Sequence, residues 1–227
     1  MKKLMLICCA AALLLSMPTQ ALGDAWLFPA WTAPLEVRFQ QVLRNEADVR
    51  FSSYYDGDAV EDVWQEMTLE ELMEGEYGEG FVLARFAVVD LDMDLLPEIV
   101  LEIAETEYYD YPFEFIVLKA EDDAVYAHGM VYRALEDLKA DGTFGYSSGA
   151  MDNGCGRAWF MGARHGITPI TWCESSFDME EEYYFVNGAP AGEEEFYLAM
   201  DAQFDKPSVL WEELTDAAID ALPARLR

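Results

Sequence analysis

The chain has 227 residues, 52% of them hydrophobic and 14% aromatic, with 44 Asp and Glu against 14 Lys and Arg. That much apolar material fills a core and excludes a disordered chain, and the length suits one domain or at most two small ones. A formal charge of −30 repels nucleic acid and anionic lipid, attracts cations and basic partners over a screened ~8–10 Å, and has solubility as its simplest use.

The N-terminus reads as a signal peptide over residues 1–21. Lys2 and Lys3 precede an uncharged apolar run over 4–15, then Ser16, Met17 and the helix breaker Pro18, then Thr19-Gln20-Ala21 with a small residue at the cleavage position. The apolar run is shorter than the ~18–20 residues that cross a bilayer, so no integral membrane segment is expected after cleavage. Cys8 and Cys9 lie inside the run, not at its end where a lipidated cysteine stands, and leave with the signal. Cleavage after Ala21 leaves one domain over 22–227 with a formal charge of 12 − 44 = −32. The chain is therefore expected to be secreted or otherwise extracytoplasmic, with any partner in the medium or the envelope.

Apolar residues recur at helical intervals over 35–44, after Pro34, and a second helix is expected over 60–73. The period then changes: 81–89 and 99–103 are rich in β-branched and aromatic residues and read as two strands joined by an acidic loop. Residues 113–119 and 124–132 flank Ala120-Glu121-Asp122-Asp123 as a hairpin. Asp141-Gly142 is a tight turn leading to a strand over 143–146 and a glycine-rich loop through Gly156. Strands follow over 157–163, 167–173 and 183–186, closed by the turn dipeptide Asn187-Gly188. Helices return over 193–204, with Glu193, Glu194 and Glu195 favourably placed at the N-terminus, and over 209–222. The pattern predicts an α+β fold: a mostly antiparallel sheet, a meander of hairpins, flanked by N-terminal and C-terminal helices.

The segment richest in chemistry is Asp90-Leu91-Asp92-Met93-Asp94-Leu95-Leu96-Pro97-Glu98. A tight loop can turn Asp90, Asp92, Asp94 and Glu98 onto one centre, and Ca²⁺ accepts six to eight oxygens at ~2.3–2.6 Å. The segment resembles the calcium loops of EF-hand-like and integrin-repeat-like modules. It is more closely similar to a loose group of exported proteins and lipoproteins of Gram-positive bacteria in which strand, Asp-x-Asp-x-Asp-Gly-x-Pro-Glu loop and strand recur. The resemblance extends through Tyr126, Tyr132-Arg133, the run 138–144 and Ser147-Ser148-Gly149-Ala150, about the middle third of the chain. It implies a secreted domain and brings no catalytic residues. Leu95 stands where those loops have glycine for a turn with φ > 0, and Leu101 stands where an EF-hand has its bidentate glutamate. Two readings stay open: a weak calcium site, with Kd ~10⁻⁴–10⁻³ M, or a relic loop whose carboxylates are solvated or bonded to backbone amides.

Cys155 and Cys173 are the cysteines left after cleavage, and in an oxidising compartment they are expected to form a disulfide. A Cys155 nucleophile with His165 as its base is the minor alternative. Gly145-Tyr146-Ser147-Ser148-Gly149 matches a hydrolase nucleophile elbow in letters, but loop sequence follows it and no histidine lies beyond His165. His128 and His165 have no Cys or His neighbours at zinc spacing and read as ordinary residues. Tyr54-Tyr55, Tyr108-Tyr109-Tyr111 and Tyr183-Tyr184 could stack on sugars, but adjacent strand tyrosines more often send one ring inward and one outward. The resulting expectation is an exported, non-enzymatic binding domain, with calcium at the acidic loop. The alternative is an extracellular glycan or peptide hydrolase using paired carboxylates.

Overall fold

The computed structural model describes residues 34–52, 64–107, 112–122, 124–130, 133–147, 149, 152–176 and 181–226. The expected signal peptide, residues 60–63 of the second expected helix, Tyr54, Tyr55, Tyr108, Tyr109, Tyr111, Tyr132, Ser148 and Ala150 lie outside them. Among the described residues no helix is long and apolar enough to cross a membrane.

The fold is α+β, built on two sheets where the sequence pattern suggested one. Helix α1 (Leu35–Leu43) buries Phe39, Val42 and Leu43 and leads to β1 (Val49–Ser52) and β2 (Gln65–Met67). Residues 65–67 of the expected second helix are thus an edge strand paired with β1. Helix formation begins only at Thr68, whose hydroxyl accepts from the Glu71 N–H while the Glu71 carboxylate accepts from the Thr68 N–H, a reciprocal cap on α2 (Leu69–Leu72). A π-helical turn, Met73–Tyr77, ends it.

Strands β3 (Phe81–Val89), β4 (Glu98–Glu105), β5 (Pro112–Glu121) and β6 (Ala124–Met130) then run as an antiparallel meander. The first sheet is ordered β12 (Glu212–Glu213)-β3-β4-β5-β6-β1-β2, and its β1–β6 pair is parallel. The second sheet is an antiparallel meander of β7 (Phe144–Ser147), β8 (Asn153–Met161), β9 (Arg164–Ser175), β10 (Glu182–Val186) and β11 (Ala189–Ala191). The expected glycine loop through Gly156 is therefore partly strand. Gly154 and Gly156 serve close approach: a Cβ at Gly154 would lie 2.2 Å from the Thr171 carbonyl oxygen. Asn187 and Gly188, both at positive φ, close β10 onto β11 as the dipeptide predicted.

Helix α3 (Glu193–Phe204) matches its predicted span. The last expected helix shortens to α4 (Asp216–Ala221), with a 3₁₀ turn at Leu222–Ala224, because Glu212–Glu213 pair with β3 as β12 and Thr215 caps the helix only at that point.

Period-two alternation explains the layering. In β4 the odd residues Ile99, Leu101 and Ile103 join Phe39, Val42 and Leu222 in a core on the helical side of the first sheet. Even residues such as Val100 face the second sheet, where Ala87, Val117, Phe144 and Ala158 form the core between sheets. β4 is buried on both faces from Glu98 to Ala104, with Glu98 and Glu102 among its buried residues. Each large apolar side chain so buried contributes roughly 1.5–3 kcal/mol. On the outer face of the second sheet, Cys155 and Cys173 pack against Phe196 and Met200 of α3.

The expected disulfide is not formed between Cys155 and Cys173, both of which are buried. Cys155 lies opposite Thr171 and Cys173 opposite Asn153, so the two are diagonal across β8 and β9. Diagonal positions stand roughly 7–8 Å apart, Cβ atoms a little nearer, whereas a disulfide needs Cβ atoms within ~4.5 Å.

Candidate functional site

The acidic loop connects β3 to β4. Leu91, 0% exposed in the inter-sheet core, anchors one end, and Glu98, the first residue of β4 and 1% exposed, anchors the other. Between them the backbone turns through two left-handed residues, Met93 (φ 65) and Leu95 (φ 73). Leu95 therefore adopts the left-handed conformation that glycine takes most easily, at a cost of ~1–2 kcal/mol for an L residue. The Asp141-Gly142 turn braces the loop from behind: a Cβ at Gly142 (φ 77) would lie 2.1 Å from the Asp90 carbonyl oxygen.

Each carboxylate serves the loop's own backbone. Asp90 accepts the N–H groups of Met93 at 2.7 Å and Leu95 at 3.2 Å. Asp92 accepts from Asp94 at 3.2 Å, and Asp94 from Leu96 at 2.7 Å. Glu98 reaches back to the Leu91 N–H at 2.7 Å. These are side-chain-to-backbone turns of the kind aspartate makes readily.

A residue the sequence reading did not single out completes the site. Lys119, on β5, sends its Nζ to Asp92 Oδ2, Asp94 Oδ2 and Glu98 Oε1, each at 2.8 Å. Its side chain is 6% exposed, against 13% for Asp92, 39% for Asp94 and 1% for Glu98. Ile99 pairs with Leu118, which brings Lys119 beside Glu98 one step further along the β4–β5 ladder. Lys119 follows Phe115 and Val117 at alternate positions facing the second sheet. A lysine at an inward position of an otherwise apolar strand was the available signal, but its acidic partners lie in another segment.

An ammonium thus sits among three of the four predicted ligands. Asp90, Asp92 and Glu98 also offer oxygens within 4.8 Å of one another, a spacing that could hold a metal ion. With Lys119 the four loop carboxylates Asp90, Asp92, Asp94 and Glu98 carry −4 + 1 = −3 in formal charge. Burial opposes the Lys119 charge, but hydrogen bonds donated to Asp92, Asp94 and Glu98 overcome it and hold the ammonium above its ordinary pKa. Burial pushes the Glu98 carboxyl up to about 7, against the pull of Lys119 and of the Leu91 N–H. Both Glu98 oxygens accept hydrogen bonds, so the geometry suits its ionised form. Paired hydrolytic carboxylates need open space between them for a scissile bond; here the Lys119 ammonium bridges Asp92 and Glu98.

The other sequence candidates lie elsewhere. Gly145, Tyr146 and Ser147 of the elbow-like motif belong to β7, and the next described element is β8 rather than a helix. The Ser147 hydroxyl donates to the Gly149 carbonyl at 2.9 Å. A cleft of about 310 Å³ opens there beside Arg133, Glu136 and Asn153, and neither histidine lines it. Tyr183 is 44% exposed, while the neighbouring Tyr184 turns toward Phe196, the alternation expected of strand tyrosines. His128 and His165 are both buried and meet between the sheets. No known protein family, curated protein or solved structure matches the chain.

Proposed function

We propose that the chain is an exported, non-enzymatic domain that acts by binding in the envelope or the medium, and that loop 90–98 is its cation-centred clasp. In this reading the Lys119 ammonium is the internal cation, and calcium is an external cation that competes for Asp90, Asp92, Asp94 and Glu98. The observation that carries the clasp is the Lys119 Nζ at 2.8 Å from three carboxylates. Kinship with exported Gram-positive proteins is part of the same proposal and is supported by the sequence of strand, acidic loop and strand. The export half rests on the pattern of residues 1–21.

One preparation tests both halves. Protein recovered from the medium of an exporting bacterial host should begin near Leu22. Its melting temperature should then rise with calcium, because a cation that binds only the folded state stabilises it by RT ln(1 + [L]/Kd). At ten times Kd the gain is ~1.4 kcal/mol, or roughly 3–6 °C for a domain of this size. The double variant Asp92→Asn, Asp94→Ala should lose the rise. A wild-type melting temperature indifferent to 10 mM calcium would leave Lys119 as the loop's only cation and remove calcium as a ligand.

A further inference from the structure

His128 on β6 and His165 on β9 join the two sheets through their rings. They are 1% and 4% exposed, with centroids 5.1 Å apart in an edge-to-face contact. Phe160 of β8 packs on His128 at 4.9 Å, and Tyr126 stacks on it at 6.2 Å. Neither His128 nitrogen has a hydrogen-bond partner, whereas the Gly129 backbone acts on His165 in favour of its charged form. A buried imidazole with no acceptor is tolerable when neutral and costly when protonated.

The charged groups around the pair offer an imidazolium no relief. Lys119 of β5 faces the same layer, its ammonium 5.6 Å from the Phe160 ring centre, and its carboxylate partners Asp92, Asp94 and Glu98 are turned toward it. Glu121 of β5 accepts from the Gly162 N–H in the β8–β9 turn. Arg50 of β1 lies over Tyr126 and pairs with Glu66 of β2. Burial, His165 and Lys119 together hold the His128 imidazole well below its ordinary pKa, and burial lowers His165 against the Gly129 backbone.

We propose that His128 and His165 form an acid-sensitive latch: neutral, they pack one sheet onto the other, and acidification of the medium opens the layer by placing an unpaired charge beside Lys119. The sign follows from linkage. A histidine whose pKa is lower in the fold than in the unfolded chain contributes stability that is present above the unfolded value and lost as pH falls through it. With an unfolded value of ~6.5, one ring that stays neutral in the fold lowers the folding constant roughly 25-fold between pH 7 and pH 5. Glu98, raised by burial, works in the opposite direction in the same window, so the comparison with a variant is the decisive reading.

Urea unfolding at pH 7 and pH 5 should therefore give a ratio of folding constants about 25-fold smaller in His128→Phe than in wild type. A difference under threefold overturns the latch. If His128→Phe does not fold, NMR titration of the imidazole Cε1–H signals in wild-type protein decides. The folded-state His128 ring should keep its neutral shift to pH 5 while the folded signals lose intensity; a folded His128 ring titrating near pH 6.5 with no loss of folded signal overturns the proposal.

Discussion

Replacing Lys119 by Met keeps the length and the apolar stem of the side chain and deletes the charge. Three contacts of 2.8 Å disappear. At an effective dielectric of ~20 each represents roughly 6 kcal/mol of Coulomb attraction before desolvation is subtracted. The Asp94 contact counts for less, because its side chain is 39% exposed and screened by water. Asp92 and Glu98 are then left facing each other without a cation, with Glu98 only 1% exposed. Removing one partner of a buried ion pair typically costs ~3–5 kcal/mol, most of it the penalty of the charge left behind. At ~2–4 °C per kcal/mol for a domain of this size, Lys119→Met should melt roughly 6–20 °C below wild type in EDTA at pH 7.5. Circular dichroism melts with and without 10 mM calcium complete the test. With the ammonium gone, calcium competes only with water, and at Kd ~10⁻⁴–10⁻³ M it returns about 1.4–2.7 kcal/mol. The calcium-induced rise should therefore be larger in the variant than in wild type. A variant that melts within a degree of wild type in EDTA would refute the clasp, and an equal calcium response in both proteins would refute competition at a shared centre.

Leu95→Gly removes a left-handed strain of ~1–2 kcal/mol at a side chain that is 87% exposed. Glycine costs ~0.5–1 kcal/mol in backbone entropy, so melting should stay level or rise by a few degrees, and a clear loss would assign the leucine side chain a role that its exposure does not suggest. Gly142→Ala should be severe, because it combines a positive φ with a Cβ placed 2.1 Å from the Asp90 carbonyl oxygen. Overpacking and strain together predict a loss of about 3 kcal/mol or more, read as a melting temperature at least ~6 °C lower; near-wild-type stability would show that the turn does not brace the acidic loop.

The α+β class, the strands on either side of the acidic loop, α3 and the Asn187-Gly188 hairpin were all legible in the chain, because local periodicity and turn chemistry determine them. Of the loop carboxylates, Asp90, Asp92 and Glu98 lie within reach of one another, while Asp94 joins them through Lys119. Tertiary pairing decided the rest. Residues 65–67 and 212–213 are strand because β1 and β3 offered them partners. Cys155 and Cys173 stayed apart because the β8–β9 register set them on a diagonal. Lys119 entered the acidic loop, and His128 met His165, through pairings spanning tens of residues that no local pattern encodes. Spacing within one segment can announce a set of carboxylates, but the group that neutralises them is chosen by the strand that comes to lie alongside.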